Sequence, residues 1–543
     1  MTYAIGIDFG TESARALLVD CSDGAEIAVS VHEYESGVID ERLGDVELEP
    51  DWALQDPRDY VSSVQQTVRA LLAETGVAPA EVAGLGIDFT SCTMLPALAD
   101  GTALCEVGEL RAEPHAWVKL WKHHAAQPEA DRINAVAAER REPWLARYGG
   151  RYSSEWFFSK ALQILDEAPE LYARADRLLE AADWIVWQLT GVETRNTCTA
   201  GYKAMWSKRD GFPSREFFAA LDPRFADVVD EKMSRTLAPL GARAGGLCER
   251  ASAWTGLPPG TPVAVANVDA HVSVPAVGVT GPGRFVAIMG TSTCDILLGR
   301  ELALVDGMCG VVEDGVLPGL FGYEAGQSAV GDIFAWYVEH VRGAHAELTE
   351  EAARLRPGES GLLALDWWNG NRSVLVDADL QGLIVGLTLA TRPAEVYRAL
   401  IEATAFGMRV IVEGFERGGV PVDAIVACGG LPDRNPLLMQ IYADVCGREI
   451  EVASSAQAPA LGSAMYGAVA GGVYESIVDA SRAMAAPPRT TYEPDASNRA
   501  TYDLLYREYV RLHDLFGRGG DDAMRTLKAL QQQAARVVEL SRR

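Results

Sequence analysis

The fold of this chain is decided by one stretch, Ala4-Ile5-Gly6-Ile7-Asp8-Phe9-Gly10-Thr11-Glu12-Ser13-Ala14-Arg15-Ala16-Leu17-Leu18-Val19-Asp20. Its two apolar segments predict short strands, and the four residues from Gly10 to Ser13 predict a tight turn between them. Backbone N–H groups in such a turn can face a polyphosphate, and the Asp8 carboxylate can hold a hydrated divalent cation. An ordinary hairpin with a polar turn explains the stretch equally well, so both interpretations stay open here.

A second copy of this pattern lies in the other half of the chain, as Gly283-Arg284-Phe285-Val286-Ala287-Ile288-Met289-Gly290-Thr291-Ser292-Thr293-Cys294-Asp295-Ile296-Leu297-Leu298. Gly290 takes the place of Gly10, and hydroxyl residues again follow the glycine. A repeat this far apart indicates duplicated domains and not a solenoid. We therefore predict two related domains, residues 1–280 and residues 281–543, that face one cleft.

Composition limits the classes of partner that the protein can have. The chain has 543 residues, 48% of them hydrophobic, and a formal net charge of −28. This length predicts more than one domain. The negative charge disfavours nucleic acid and anionic membranes, which require basic surfaces. An anionic substrate stays compatible with the composition, because a few Lys and Arg residues can converge in a cleft.

The sequence predicts a cytoplasmic protein. Met1-Thr2-Tyr3 leads directly into a strand without the features of a signal peptide, and we find no apolar run that could span a bilayer. The nine cysteines are scattered and form no Cys-x-x-Cys pair, which is typical of reduced core thiols. His123 and His124 lack nearby partners for a metal site, so we expect them on a solvated helix face.

Polar residues at predicted strand ends are the candidates for chemistry in the first half. Ser91 lies in a hydroxyl-rich turn after the apolar strand 83–89, and Asp269 follows the strand 263–266. Ligands of open α/β sheets bind at such ends, although Asp269 could equally cap a helix instead of acting as a general base. Lys203 is a lone cation among small and apolar residues, and its side chain could simply reach solvent.

The second half repeats this organisation. A strand ending near Gln327 precedes a predicted helix over 330–342, and the apolar period predicts a long helix over 394–416. Gly429 and Gly430 follow the strand 424–428, and paired glycines let the backbone approach a flat ligand closely. Further helices are predicted over the segments 460–468, 498–516 and 521–540.

Taken in order, these motifs resemble the actin/hexokinase/Hsp70 ATPase superfamily and, within it, the FGGY carbohydrate kinases. The resemblance covers residues 3–475, and within the family it is strongest to the members that phosphorylate L-ribulose. A segment read as helical, Leu120-Trp121-Lys122-His123-His124, also resembles those members and not the shorter glycerol kinases. The other segments that carry the resemblance are Asp8–Arg15, Met289–Asp295, Glu324–Asp332, Asp366–Arg372 and Ala403–Gly407.

This resemblance implies an α/β fold of two duplicated ribonuclease H-like domains around a central cleft, and transfer of the γ-phosphoryl group of Mg-ATP to a sugar. Asp269 would be the catalytic base, and Asp8 would hold Mg²⁺ through water. The sugar would bind to Ser91, Lys203, Asp269 and Glu324. The nucleotide would contact Gly10, Thr11, Ser13, Arg15, Gly290, Thr291, Ser292, Gly331, Gly429, Gly430 and Asn435.

The implied reaction is phosphorylation of a ketopentose, L-ribulose to L-ribulose 5-phosphate in arabinose catabolism. The alternatives are another kinase of the family, acting on xylulose or a polyol, and a non-catalytic or chaperone-like ATPase of the same fold. The implied partners are a small sugar and ATP, with no nucleic acid or membrane, and a homodimer is one open alternative. Two features depart from the family pattern: Glu12 stands where glycerol kinases usually have Thr, and the tail after residue 517 has no counterpart.

Overall fold

The structure is a computed structural model that describes residues 1–542, with side chains described to Ala534 except for Gln532. The strands are β1 (Tyr3–Phe9), β2 (Ser13–Asp20), β3 (Glu26–Glu33), β4 (Arg42–Leu43), β5 (Val46–Glu47), β6 (Leu54–Gln55), β7 (Val82–Phe89), β8 (Met94–Ala97), β9 (Val118–Lys119), β10 (Arg177–Glu180), β11 (Arg243–Gly246), β12 (Pro262–Ala264), β13 (Asn267–Val268), β14 (Gly283–Met289), β15 (Thr293–Gly299), β16 (Gly310–Glu313), β17 (Phe321–Gln327), β18 (Leu363–Leu365), β19 (Leu383–Val385), β20 (Val422–Cys428), β21 (Ile450–Val452) and β22 (Thr490–Tyr492).

The α-helices lie between and around these strands. They are α1 (Pro57–Thr75), α2 (Gln127–Arg140), α3 (Phe157–Glu167), α4 (Pro169–Arg174), α5 (Ala181–Thr190), α6 (Thr197–Lys203), α7 (Arg215–Leu221), α8 (Val228–Lys232), α9 (Glu249–Thr255), α10 (Asp269–Ala276), α11 (Gly331–Val341), α12 (His345–Ala353), α13 (Pro393–Arg417), α14 (Gly430–Arg434), α15 (Pro436–Cys446), α16 (Ala458–Ala470), α17 (Ile477–Met484), α18 (Ala496–Gly517) and α19 (Ala523–Arg542).

Two large sheets share one strand arrangement. In the first sheet the strands run β3-β2-β1-β7-β12, and in the second they run β17-β15-β14-β20-β21. Each sheet pairs a hairpin, β1 with β2 or β14 with β15, and places a parallel strand beside the first strand of that hairpin. Both quoted stretches are therefore hairpins at equivalent places in duplicated α/β sheets, as the repeat predicts.

The centre of the first sheet repeats one tetrapeptide on adjacent strands. Gly6-Ile7-Asp8-Phe9 of β1 lies residue for residue beside Gly86-Ile87-Asp88-Phe89 of β7. The two phenylalanine rings stack with centroids 5.0 Å apart. Parallel strands in register present equivalent side chains to the same face, so the two aspartates lie side by side at the carboxyl end of the sheet.

The small-residue helix α16 packs directly on this first sheet although it follows the second sheet in the chain. The glycines of both central strands permit the approach, because a methyl group on Gly86 would lie 1.7 Å from the Ser463 carbonyl oxygen. A methyl group on Gly462 would likewise lie 1.9 Å from the carbonyl oxygen of Val272 in α10. The close packing of β7, α16 and α10 fixes the floor of the site described below.

A first prediction tests this packing. Gly86→Ala should lower the free energy of unfolding by at least about 2 kcal/mol, because the added methyl group meets backbone that cannot rotate away. Gly281→Ala is the matched control, since a methyl group there has no atom within 4 Å, and its effect should stay within about 0.5 kcal/mol. Urea denaturation measures both values, and equal midpoints for the two variants would contradict the packing.

The second-to-last helix, α18, packs into the helical layer of the second sheet. Asp503 accepts a hydrogen bond from Arg409 of α13 at 2.7 Å. Tyr509 donates to Asp366 at 2.6 Å, and Gln327, the last residue of β17, donates to the same carboxylate at 2.7 Å. Through Tyr509 and Asp366, helix α18 therefore supports the end of β17 at Gln327, three residues beyond Glu324.

The structure corrects the interpretation of the segment around His123. Residues 120–124 form a turn and not a helix. His123 is buried, not solvated, and its ring bonds the amide of Ala53 at 3.3 Å and the Gln163 side chain at 2.9 Å. The tight turn satisfies both ring nitrogens inside the protein, which a helix face open to water would not do.

The cysteines and the helices add two observations about the described part of the chain. All nine cysteines are free thiols there, and seven of them are buried. None of the helices between residues 1 and 542 combines the length and the apolar composition that a membrane crossing requires.

Candidate active site

Two carboxylates lie side by side at the floor of the site. Asp8 and Asp88 are register partners on β1 and β7, and both are buried. Asp88 accepts a hydrogen bond from Ser463 of α16 at 2.5 Å through one oxygen, while its other oxygen bonds no described group. Burial, followed by the negative charge of Asp8, raises the pKa of Asp88 well above its usual range. Burial also raises the pKa of Asp8, against the opposing charge of Arg15.

Asp269 is the first residue of α10 and comes directly after β13, which pairs with β7. Its carboxylate accepts a hydrogen bond from the Ala270 amide at 2.7 Å. Burial, and then the negative charge of Asp8, raises the pKa of Asp269 to about 7. The negative charge of Glu324 also raises this pKa, and the positive charge of Lys203 lowers it. The structure therefore brings Asp8, Lys203 and Glu324 into the neighbourhood of Asp269.

Lys203 and Glu324 form a buried ion pair with each other. The Lys203 ammonium at the end of α6 lies 2.8 Å from Glu324 in β17, with side chains 6% and 7% exposed. His271 of α10 lies 3.4 Å from the same carboxylate, and its other ring nitrogen contacts the Cys198 thiol at 3.0 Å. Burial alone would raise the pKa of Glu324, but Lys203 and His271 together lower this pKa far below its usual range.

Ser91 lies in a constrained turn at the end of β7. Its hydroxyl oxygen is enclosed and bonds no described group. The Thr90 and Thr93 hydroxyls bond each other across the turn at 2.8 Å. Cys92 has a φ of 58°, in the left-handed region that non-glycine residues rarely occupy. The turn therefore holds the Ser91 hydroxyl next to a strained residue, with its hydrogen-bonding capacity free.

The first hairpin turn is closed by its own backbone. The Gly10 amide donates to the Ser13 carbonyl at 2.9 Å, and the Thr11 hydroxyl accepts from the Trp121 indole at 3.0 Å. Arg15, the third residue of β2, lies 3.4 Å from Asp8 and donates to Gln457 at 3.1 Å. Arg15 therefore links Asp8 to Gln457, the residue that precedes α16.

The second hairpin turn meets the start of α11. The Gly290 amide donates to the Ser292 carbonyl at 2.9 Å, and the Gly331 amide donates to the Gly290 carbonyl at 3.1 Å. The Thr291 carbonyl accepts from Val330 at 2.7 Å. A methyl group on Gly331 would lie 2.6 Å from the Gly290 carbonyl oxygen, so this contact requires a glycine.

The adenosine candidates lie beside this turn. Gly429 has a φ of 96° and packs against Met289, the residue before Gly290. Gly430 faces open space, since no atom lies within 4 Å of an added methyl group. The Asn435 side chain accepts from the Leu438 amide at 3.0 Å and so caps α15. The structure thus groups Gly290, Gly331, Gly429 and their neighbours on the second sheet.

Sequence reasoning missed two residues of the site, Asp88 and His271. The repeated Gly-Ile-Asp-Phe of β1 and β7 could have revealed Asp88, since identical tetrapeptides on neighbouring strands place their aspartates together. His271 lies two residues after Asp269 in the same short segment, but its partner Glu324 is remote in sequence. A single sequence carries no pattern that connects those two positions.

The model of the N-terminal domain of the FGGY family of carbohydrate kinases matches residues 3–276, and the model of the C-terminal domain matches residues 285–471. The chain belongs to this family. The prediction of an FGGY carbohydrate kinase is thereby confirmed, and membership of this family implies that ATP is the phosphoryl donor.

Relatives of this FGGY chain extend over nearly its whole length, so the expectation that the tail after residue 517 has no counterpart is wrong. A protein named ribulokinase from Geobacillus thermodenitrificans is 57% identical and covers 99% of this chain and 98% of its own. Another of that name from Mycolicibacterium smegmatis is 52% identical and covers 98% of this chain and 97% of its own.

Solved structures share the fold of this FGGY chain. A xylulose kinase from Lactobacillus acidophilus superposes with a TM-score of 0.81 at 17% identity, covering 96% of this chain and 99% of its own. A xylulose kinase from Rhodospirillum rubrum has a TM-score of 0.78 at 22% identity, covering 94% and 98%. The predicted fold of two duplicated domains of the actin/hexokinase type is confirmed.

Proposed function

We propose that this FGGY kinase transfers the γ-phosphoryl group of ATP to L-ribulose and forms L-ribulose 5-phosphate. The observation that carries the proposal is the 57% identity, over 99% of the chain, to a protein named ribulokinase. The site geometry is compatible with it, because the half-buried carboxylate of Asp269 lies among groups that can bind a polyhydroxylated ligand. Such ligands need matched donors and acceptors, since each unmatched buried polar group costs about 1–3 kcal/mol.

In this proposal Asp269 is the general base. It accepts the proton of the sugar hydroxyl as that oxygen forms a bond to the γ-phosphorus and the bond to the ADP oxygen breaks. Its support is its place at the start of α10, in the electrostatic neighbourhood of Asp8, Lys203 and Glu324. Phosphoryl transfer depends mainly on positioning and charge neutralisation, and a positioned base adds about 10²–10⁴-fold.

We assign the sugar to Ser91, Lys203, Glu324 and Asp269. The Ser91 hydroxyl has a free donor and acceptor, and the Lys203–Glu324 pair offers an ammonium and a carboxylate that already hold each other's orientation. A sugar that bonds both members of the pair keeps the pair intact and adds its own hydroxyls to it. The ion pair thereby supplies the prearranged geometry that lowers the cost of binding.

We assign the nucleotide to the two hairpin turns and to Gly331, Gly429, Gly430 and Asn435. In the first turn Gly10, Thr11, Ser13 and Arg15 would face the phosphates, and in the second Gly290, Thr291 and Ser292. The support is that each turn is closed by a backbone hydrogen bond, and that Gly430, which follows β20, faces open space.

We propose that Mg²⁺ binds at Asp8 through water. The donor set fits this ion, because Asp8 lies beside Asp88 and one Asp88 oxygen bonds no described group. When bound, the ion would neutralise charge on the phosphates of ATP.

We also propose that the two domains divide between residues 280 and 281. We propose that the protein is cytoplasmic, and a homodimer stays a prediction. The two family models leave residues 277–284 between them, which supports the division. Helix α16 then belongs by sequence to the second unit while it packs on the sheet of the first.

The experiment that tests the function is coupled ADP release with a panel of ketopentoses, polyols and glycerol. We expect the largest kcat/KM with L-ribulose and little ADP release without a sugar. A preference for xylulose would instead support the alternative kinase. ADP release that no sugar stimulates would favour the ATPase alternative and contradict the proposal.

A further inference from the structure

We propose that Lys160 is a positioning residue that holds the Ser91–Cys92 turn in its sugar-binding conformation. This inference rests on the proposed function, and it concerns a residue outside the predicted site. Lys160 lies on α3, within the helical layer behind the turn, and its side chain is fully buried.

The Lys160 ammonium is bonded to backbone alone. It donates to the Cys92 carbonyl at 2.8 Å and to the Leu120 carbonyl at 2.7 Å. Burying an ammonium group costs free energy unless the group is paired or hydrogen-bonded. The two hydrogen bonds of Lys160 therefore compensate for its burial. Both acceptors belong to segments that the site uses, the Ser91 turn and the segment of Trp121, whose indole bonds Thr11.

The two carbonyls depend on Lys160 to different degrees. The Leu120 carbonyl also accepts from the His123 amide at 3.0 Å, and the Leu120 amide bonds Ala53 at 2.9 Å. For the Cys92 carbonyl, Lys160 is the one donor found in the described part of the chain. Loss of the ammonium would therefore leave the segment of Leu120 in place and remove the restraint on the peptide group after Cys92, while the Thr90–Thr93 bond remains.

The turn needs such a restraint because of its backbone conformation. Cys92 lies in the left-handed region, which is unfavourable for a residue with a Cβ atom. A turn in this conformation persists only where its surroundings determine it. The Lys160 ammonium fixes the orientation of the peptide group after Cys92, and this orientation sets where the neighbouring Ser91 hydroxyl lies. Lys160 thus acts on the sugar through Ser91 and does not touch it.

The test compares Lys160→Met with Lys232→Met, in the full-length protein. Lys232 is also a buried lysine that donates to one backbone carbonyl, that of Ala175 at 2.6 Å, but it is not bonded to any predicted site segment. We measure KM for L-ribulose, KM for ATP, and the rise in melting temperature that each ligand causes. Lys160→Met should raise the L-ribulose KM about tenfold or more, as expected for loss of a charged hydrogen bond.

The ATP KM of Lys160→Met should change less than about threefold, and only the sugar-induced rise in melting temperature should shrink. If this variant does not fold, Lys160→Gln, which stays polar but removes the ammonium, carries the same test. Equal changes for both ligands, or none, would overturn the inference. Failure of the wild type and Lys232→Met to phosphorylate L-ribulose would overturn the proposed function instead.

Discussion

Asp269→Asn is expected to lower kcat for L-ribulose by about two to four orders of magnitude while the protein stays folded. The change keeps the shape of the side chain, and an amide oxygen can still accept the 2.7 Å hydrogen bond from Ala270. Asparagine also favours a helix start about as well as aspartate does. The variant therefore separates a base, which needs an ionisable oxygen, from a carboxylate that merely stabilises the start of α10.

The measurement combines kcat, binding of Mg-ATP by calorimetry, and the melting temperature. Asp444→Asn is the matched control, because Asp444 is a buried aspartate on α15 whose described hydrogen bonds come from Gln440, Asp495 and Asn498 and from neither hairpin turn. It should lose stability without a large loss of kcat. A folded Asp269→Asn protein with near wild-type kcat on its best ketopentose would refute the role of Asp269 as base.

The pH profile supplies an independent readout of the same group. Burial and then the charge of Asp8 raise the pKa of Asp269 to about 7. Only the ionised carboxylate accepts a proton, so kcat should fall as pH drops below this value where the chemical step limits the rate. A magnesium ion near Asp8 would oppose the charge of Asp8 and move this fall to lower pH. The acidic limb should be absent from the residual activity of Asp269→Asn.

Much of the fold could be predicted because its information is local. The hairpins β1–β2 and β14–β15 follow from alternating apolar residues around a Gly-Thr turn, and α13 follows from one unbroken apolar period. The order of these motifs indicated the family. The prediction of a helix over residues 120–124 was wrong. Hydrogen bonds to distant residues, such as that of His123 with Gln163, hold this segment in a turn, and the local sequence does not show them.

The site was harder to predict because its geometry depends on contacts between distant segments. Lys203 and Glu324 could each be named as a sugar ligand, but their mutual 2.8 Å contact joins residues 121 positions apart. The return of α16 to the first sheet, which brings Ser463 to Asp88, is equally non-local. Asn435 shows a further limit, since the same residue type serves as a helix cap and as a predicted nucleotide contact.

The last prediction concerns the Lys203–Glu324 pair. Lys203→Met or Glu324→Gln should each lower the free energy of unfolding by about 3–5 kcal/mol, because each leaves the partner's charge buried without compensation. Lys208→Met is the control, since Lys208 makes a similarly short contact of 2.6 Å with Asp314 but is 48% exposed. Exposed pairs contribute about 0–1 kcal/mol, so this control should remain near wild-type stability.

The double variant Lys203→Met/Glu324→Gln separates stability from sugar binding. It removes both charges, so its loss of stability should be smaller than the sum of the two single losses. Its KM for L-ribulose should nevertheless stay as high as that of either single variant, because the sugar loses two of its charged ligands, while the KM for ATP changes little. Denaturation midpoints and the two KM values measure these effects. Additive losses of stability would contradict the mutual compensation of the two charges, and a restored KM for L-ribulose would show that the pair does not bind the sugar.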